Sequence, residues 1–202
     1  MISIIDSACA KSIRPFKIAR FVNSPGSAIR APATNRSSRI LFVTDAKVAC
    51  SGDIRTLTDY WGCHETISSE TLSYNGLFKD CTCLITAPEL PATTLGYQCY
   101  MDMFSGCTGL TKAPALPATA LSEGCYSGMF SGCIGITEVS DLPAETLANN
   151  CYAGMFSDCI SLVEAPKLPA TTLADCCYTD MFSGCTSLTS APELLATTLA
   201  EG

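Results

Sequence analysis

The feature that most constrains this chain is a 26-residue repeat that runs in strict register from Tyr74 onward. Phenylalanine recurs at Phe78, Phe104, Phe130, Phe156 and Phe182, and a cysteine follows each of them by three positions. A second cysteine, followed each time by tyrosine, recurs at Cys99, Cys125, Cys151 and Cys177. One such unit cannot bury an apolar face alone, whereas stacked units share a continuous core. The repeat therefore predicts a solenoid in which equivalent side chains stack on one another.

Each unit contains signals for both a strand and a helix. The segment "LTKAP" (110–114) predicts a strand of three to five residues, because Pro114 lacks the amide proton that a longer ladder needs. The segment "SEGCYSGMFSGC" (122–133) places Cys125, Met129 and Phe130 at a spacing that favours one or two helical turns, with Gly132 near their end. The expected fold class is an α/β repeat solenoid with one short parallel strand and one short helical return per turn.

The chain divides into three segments. Residues 74–202 hold about five repeats and stop in mid-repeat without a polar cap, which predicts a truncated array and possible end-to-end association through the uncapped last coil. Residues 50–73 lack a clear register and are expected to form a degenerate N-terminal cap. Residues 1–49 are expected to be disordered or poorly packed, with a mis-assigned start or a transit-like peptide as open alternatives.

Charge separates the N-terminal segment from the rest. Residues 1–49 carry eight Lys or Arg against two Asp, a net charge of +6. Residues 50–202 carry four basic and seventeen acidic side chains, a net charge of −13. An acidic surface does not suit phosphate, so nucleic acid is not an expected partner of the array. No run of 18 apolar residues occurs, so no transmembrane segment is expected either.

The repeat resembles that of the BspA-like leucine-rich-repeat proteins, which are surface-associated proteins of gut and oral Bacteroidetes and of some mucosal protists. The resemblance rests on the residues of "MFSGC" (103–107), on Leu110 and on Leu116-Pro117, with their equivalents at each step. The repeat usual in that family is shorter, so this chain resembles a long variant, and the resemblance covers residues 50–202. It implies a right-handed, leucine-rich-repeat-like coil with a strand-lined face, and adhesion or binding of host proteins rather than catalysis.

The regularly spaced cysteines leave several interpretations open. Two internal columns of buried thiols are favoured, since cysteine packs as a small hydrophobe. A disulfide such as Cys99–Cys107 suits an exported chain, but spacing alone does not establish the geometry. Zinc is disfavoured because the gap of eight residues is too wide for a zinc knuckle, and no metal is expected. Cys83 and Cys176 stand beside the columns and are expected to be the more accessible thiols.

No constellation for catalysis is present. The one histidine, His64, lies in the capping segment beside Cys63, and adjacent residues do not normally aim both groups at one atom. The Met-Phe pairs repeat at fixed register and are interpreted as core. We therefore expect neither an enzyme nor a cofactor.

The positions that vary between repeats form the candidate protein-contact face. One set precedes the Ala-Pro step, and a second set lies at the step between Pro and Leu. The first comprises Thr86, Lys112, Glu138, Glu164 and Ser190, and the second Glu89, Asp141, Lys167 and Glu193, with Ala115 in the remaining unit. Solenoids bind partners across such extended faces, although a merely solvated face would look the same. A calcium-binding role is disfavoured, since the glycine-aspartate nonapeptide of β-rolls is absent.

The sequence thus predicts a non-enzymatic interaction module at the cell surface or in a secreted protein, with a host or cell-surface protein as partner. The alternative is an intracellular structural or scaffold repeat protein with buried free thiols.

Overall fold

A computed structural model describes the backbone of residues 17–20, 28–30, 41–43, 47–52, 54, 66–67, 74–198 and 200, and the side chains of residues 47–52, 54, 74–198 and 200. Its strands are all short. They are β1 (Lys17–Arg20), β2 (Ala28–Arg30), β3 (Leu41–Val43), β4 (Val48–Ser51), β5 (Thr66–Ile67), β6 (Leu84–Thr86) and β7 (Thr94–Leu95). These seven strands leave most of the described residues to turns and extended connections.

The strands pair across successive units of the chain. β4 pairs in parallel with β6, and β1 adds to the other side of β4 in antiparallel orientation. β5 pairs in parallel with β7, and β2 pairs with β3 as an antiparallel hairpin. Because β4 crosses residue 49, the two predicted N-terminal segments meet inside one strand. Beyond β7 the ladders reduce to isolated parallel bridges such as Lys112↔Glu138 and Thr146↔Thr172.

Two columns of stacked aromatic rings run through the core. The phenylalanines at 78, 104, 130, 156 and 182 stack with centroid separations of 5.4 to 5.8 Å. The tyrosines at 74, 100, 126, 152 and 178 stack with separations of 5.7 to 6.0 Å. Each ring therefore lies on its equivalent from the neighbouring unit. The predicted core position of Met103, Met129, Met155 and Met181 is confirmed, since all four are buried.

The segment that leads into each phenylalanine is a ribbon of overlapping turns, and it is not the expected helix. In residues 98–106 a residue with positive φ occurs at every fourth position, namely Gln98, Asp102 and Gly106. A left-handed residue at this frequency is incompatible with an α-helix, in which all residues share one negative φ. No α-helix or 3₁₀-helix longer than a single residue occurs in the part of the chain that the structure describes.

Hydrogen bonds alternate along this ribbon between local and inter-unit partners. The N–H of Met101 donates to the carbonyl of Gln98 within the turn, at 3.2 Å, whereas the N–H of Tyr100 donates to Cys125 in the next unit, at 3.0 Å. The same alternation recurs one unit later, where Ser127 donates to Gly124 and Tyr126 donates to Cys151. Every buried backbone N–H of the ribbon thus obtains a partner, half of them only because the next unit is present.

Candidate functional site

The predicted contact face consists of exposed positions at the strand and at the bend that follows it. We call Thr86, Lys112, Glu138, Glu164 and Ser190 the strand column, and Glu89, Ala115, Asp141, Lys167 and Glu193 the bend column. All ten residues are exposed. The parallel bridge Lys112↔Glu138 joins two members of the strand column, and the bridge Leu168↔Leu194 joins the residues that directly follow Lys167 and Glu193 of the bend column. The structure therefore brings each set together as a row along the stack.

Two pairs of opposite charge within these columns neutralise one another. The ammonium of Lys112 lies 3.1 Å from a carboxylate oxygen of Glu138. The ammonium of Lys167 lies 3.5 Å from Asp141, whose carboxylate also accepts the backbone N–H of Lys167 at 3.0 Å. This backbone hydrogen bond, together with the charge of Lys167, lowers the pKa of Asp141 despite the opposing effect of desolvation. These four residues are therefore tied to one another across units, whereas Glu164 and Glu193 have no ion pair among the described residues.

The third lysine of residues 74–198, Lys79, also forms an ion pair. The ammonium of Lys79 lies 2.9 Å from a carboxylate oxygen of Asp102 in the next unit, and both side chains are partly buried. Residues 74–198 contain three lysines and no arginine against twelve aspartates and glutamates, a net charge of −9. Since each lysine is already paired, the unbalanced charge on this surface is entirely negative.

An apolar patch adjoins the strand column and was not anticipated from the sequence. Ile134, Ile160 and Val163 are exposed by 42%, 44% and 44%. Ile134 and Ile160 are equivalent positions of adjacent units, and Val163 follows Ile160 by three residues in the same unit. Most of the equivalent positions in the other units are threonine. The sequence signal that could have revealed the patch was therefore the replacement of threonine by isoleucine or valine at these positions. We call these three residues the aliphatic patch.

The two cysteine columns are internal, as the favoured interpretation predicted. All twelve described cysteines are free thiols, including Cys99 and Cys107, for which a disulfide was an alternative. In one column the thiols of Cys107, Cys133, Cys159 and Cys185 each donate to the carbonyl of a phenylalanine in the preceding unit. Cys107 donates to Phe78 at 3.0 Å, and Cys133 to Phe104 at 3.0 Å.

Burial also suppresses ionisation of these thiols. Desolvation, with a smaller opposing contribution from backbone hydrogen bonds, raises the pKa of Cys99, Cys133 and Cys151 to about 12. Because the thiolate is the reactive form, thiols of this kind are chemically inert while the protein is folded. The thiols of Cys83 and Cys176, which stand beside the columns, are partly exposed, as expected.

Chemistry of other kinds finds little support in the described geometry. Within residues 74–198 and the shorter described segments, no three His, Cys, Asp or Glu side chains converge as ligands of one metal ion. His64 and Cys63 lie outside the described residues. Where the structure is described, no helix combines the length and the apolar character needed to traverse a bilayer.

Comparison with known proteins yields no relative. No model of a protein family matches the chain, and neither the characterised proteins nor the solved structures contain a significant match.

Proposed function

We propose that this chain is a non-enzymatic interaction module of the leucine-rich-repeat type, which binds a protein at the cell surface or in the extracellular space. The proposed architecture is a right-handed solenoid, as the BspA-like resemblance implies. The observation that carries the proposal is the contrast between the two kinds of column. The buried columns repeat the same side chain in nearly every unit, while the exposed strand and bend columns change charge and size at almost every step. Variation restricted to an exposed row is what a selective contact surface requires.

The partner proposed for this face is a protein rather than a nucleic acid or a small molecule. The net charge of −9 over residues 74–198 repels phosphate. A row of exposed side chains that spans several units offers a broad surface rather than the enclosed concave cavity that small ligands prefer. The two inter-unit ion pairs on this face are largely exposed and contribute little to stability, so their removal tests recognition rather than folding.

The test is a set of substitutions confined to the strand column. Lys112→Ala, Glu138→Ala, Glu164→Ala and Ser190→Ala are combined, and binding is measured against an array of purified extracellular-matrix and epithelial surface proteins. Thr119→Ala, Thr171→Ala and Thr197→Ala form the matched control, since these three exposed residues also recur at steps of 26 or 52 but lie outside both columns. We expect at least one array protein to bind the wild type and the control, and to bind the strand-column variant at least about tenfold more weakly. Equal binding by all three proteins, or binding by none, would contradict the proposal.

A second candidate function, the intracellular scaffold, is favoured by the free thiols of the described residues. Buried thiols survive even in oxidising surroundings, so among the described cysteines the partly exposed Cys83, Cys176 and Cys185 are those that distinguish the two locations. Protein isolated from its source under acid quenching is alkylated and analysed by peptide mass spectrometry. Full reduction of Cys83, Cys176 and Cys185 supports the scaffold, whereas a disulfide or a mixed-disulfide cap on any of them supports export.

A further inference from the structure

We propose that the strand and bend columns bind a positively charged segment of the partner protein, with one lysine or arginine of that segment against Glu164 and another against Glu193. The proposal rests on the function proposed above, because it concerns the same face. It adds the sign of the partner's charge and the two carboxylates that receive it.

The two columns carry more negative than positive charge. Their ten residues include two lysines and five carboxylates, which gives a net charge of −3. The lysines are Lys112 and Lys167, and the carboxylates are Glu89, Glu138, Asp141, Glu164 and Glu193. All seven side chains are exposed, so their charge acts directly on an approaching molecule. A partner of matching charge is therefore basic, since like charges placed opposite one another strongly disfavour association.

Both lysines of the face are already held by carboxylates of the face itself. The ammonium of Lys112 lies 3.1 Å from a carboxylate oxygen of Glu138. The ammonium of Lys167 lies 3.5 Å from Asp141, which also accepts the backbone N–H of Lys167. An acidic partner would have to break these contacts to reach either lysine, whereas a basic partner can approach the columns without breaking any.

Two carboxylates of the face are left for the partner. Glu164 and Glu193 have no ion pair among the described residues. The one further lysine of residues 74–198, Lys79, is bound to Asp102, and these residues contain no arginine. Because no cation of residues 74–198 neutralises Glu164 or Glu193, a bound partner has to supply it.

The placement of the two carboxylates limits the spacing of the cations on the partner. Glu164 belongs to the strand column of one unit and Glu193 to the bend column of the next. Units joined by parallel bridges such as Leu168↔Leu194 lie about 5 Å apart, and the three residues from strand to bend position cover at most about 11 Å. The two α-carbons are therefore no more than about 12 Å apart. A helix with basic residues seven apart, which places them about 10.5 Å along its axis, can meet both.

The experiment uses the full chain and the array of extracellular-matrix and epithelial surface proteins introduced above. The face variant is Glu164→Lys with Glu193→Lys. The matched control is Glu123→Lys with Glu145→Lys, since these two glutamates are also exposed and lie outside both columns. Both variants raise the net charge by the same amount. Dissociation constants for each array protein that binds the wild type are measured by biolayer interferometry at about 50 mM and about 300 mM NaCl, which differ in screening length.

We expect the face variant to bind at least about tenfold more weakly than the wild type, because it places cations opposite cations. The control should bind within about twofold of the wild type, since its added charges lie away from the contact. Higher salt should weaken the wild type and should weaken the face variant less, because the attraction that salt screens has been removed.

Removal of the two lysines provides a test with the opposite sign. The variant Lys112→Ala with Lys167→Ala frees Glu138 and Asp141 from their ion pairs, so the face gains two carboxylates for a basic partner. We expect this variant to bind at least about threefold more tightly than the wild type. Unchanged or weaker binding would show that the lysines do not compete with the partner for these carboxylates, and would overturn the proposal.

Equal affinity of the face variant and the wild type would also overturn the proposal, and so would equal weakening by the face variant and its control, which would reflect net charge alone. If the strand-column variant nevertheless loses binding, the proposed function stands and only the basic partner is excluded. Failure of every array protein to bind the wild type contradicts the proposed function, and the basic partner with it.

Discussion

At the scale of single residues, the left-handed positions of the turn ribbon decide which side chains are tolerated in the next unit. Asp80, Asp102 and Asp158 all have φ between +55° and +63°. In each case the carboxylate lies over the equivalent glycine of the following unit, at Gly106, Gly128 and Gly184, so that an added Cβ would contact a carboxylate oxygen. An aspartate at a left-handed position of the ribbon therefore calls for glycine one unit later, whereas the left-handed Asn150 is followed one unit later by Cys176, which is left-handed as well.

Two glycines at equivalent positions test this rule. Gly128 (φ +62°) lies under Asp102, whereas Gly154 (φ +60°) has open space where a Cβ would be. We expect Gly154→Ala to reduce the free energy of unfolding by about 1 kcal/mol, the cost of a left-handed alanine. Gly128→Ala should cost roughly 1–2 kcal/mol more, because the carboxylate must also move. Urea denaturation measures both.

The control for this comparison is the double variant Asp102→Gly with Gly128→Ala. Removing the carboxylate should bring the cost of Gly128→Ala down to that of Gly154→Ala, since coupling between contacting residues disappears with one partner. Equal costs for the two single variants would contradict the rule.

At the scale of the repeat unit, the turn ribbon and the aromatic columns bind units together in different ways. The ribbon contributes hydrogen bonds between alternate backbone groups, such as that from Phe104 to Met129 at 2.9 Å. The rings contribute apolar contact, and the cysteine column adds a thiol hydrogen bond to the phenylalanine carbonyls at 78, 104, 130 and 156. Stability should therefore depend on how many neighbours a unit has.

The phenylalanine column provides a direct comparison. Phe130 is fully buried and stacks on Phe104 and Phe156, both at 5.6 Å. Phe182 is only partly buried and stacks on Phe156 at 5.8 Å. We expect Phe130→Ala to cost about 3–5 kcal/mol of unfolding free energy, as for a buried aromatic residue. Phe182→Ala should cost roughly half as much, because less area is lost from contact.

Urea unfolding followed by the near-ultraviolet circular dichroism of the tyrosine column measures these costs. Substitution of the exposed Tyr97 by Ser controls for loss of a ring outside the stacks. A cost for Phe182→Ala that equals or exceeds that for Phe130→Ala would contradict the dependence on neighbours.

At the scale of the whole molecule, the buried thiols link stability to pH. In the unfolded chain a thiol loses its proton near pH 8.5 to 9, whereas Cys99, Cys133 and Cys151 have a folded pKa of about 12. Between these values the folded state holds more protons than the unfolded state, so stability falls as pH rises. The stabilising contribution is complete below about pH 8.5 and is lost progressively towards pH 12.

We expect the urea midpoint to be constant from about pH 7 to pH 8.5 and to decline steeply above pH 9. Each such thiol contributes up to about 1.4 kcal/mol per pH unit to this decline. The variant Cys99→Ala, Cys133→Ala, Cys151→Ala should be less stable at neutral pH and show a shallower decline. If the slopes of the two proteins were equal, ionisation of these three thiols would not cause the decline, and the other buried thiols and the buried tyrosines would remain as its source.

Much of the core was predictable from the sequence, and the local backbone was not. A strict 26-residue period predicts that Phe104 contacts Phe78 and Phe130, whatever the path of the chain between them. The thiols of Cys107 and Cys133 were predicted to be buried on the same basis, and this is confirmed. The prediction of a helical return was wrong. The spacing of Cys125, Met129 and Phe130 also suits a ribbon with left-handed residues at Gly124, Gly128 and Gly132.

The sequence by itself therefore determined the stacking period and the identity of each buried column, since in a regular repeat the equivalent residue is always the neighbour. Only the tertiary structure decided the form of the turn ribbon, because half of its backbone N–H groups bond to carbonyls 25 residues ahead. It also decided that Lys112 forms an ion pair with Glu138 and Lys167 with Asp141, and that the aliphatic patch is exposed beside Glu164. These outcomes depend on the spacing between units and on where each side chain emerges from the turn, and a linear pattern of residues does not specify either.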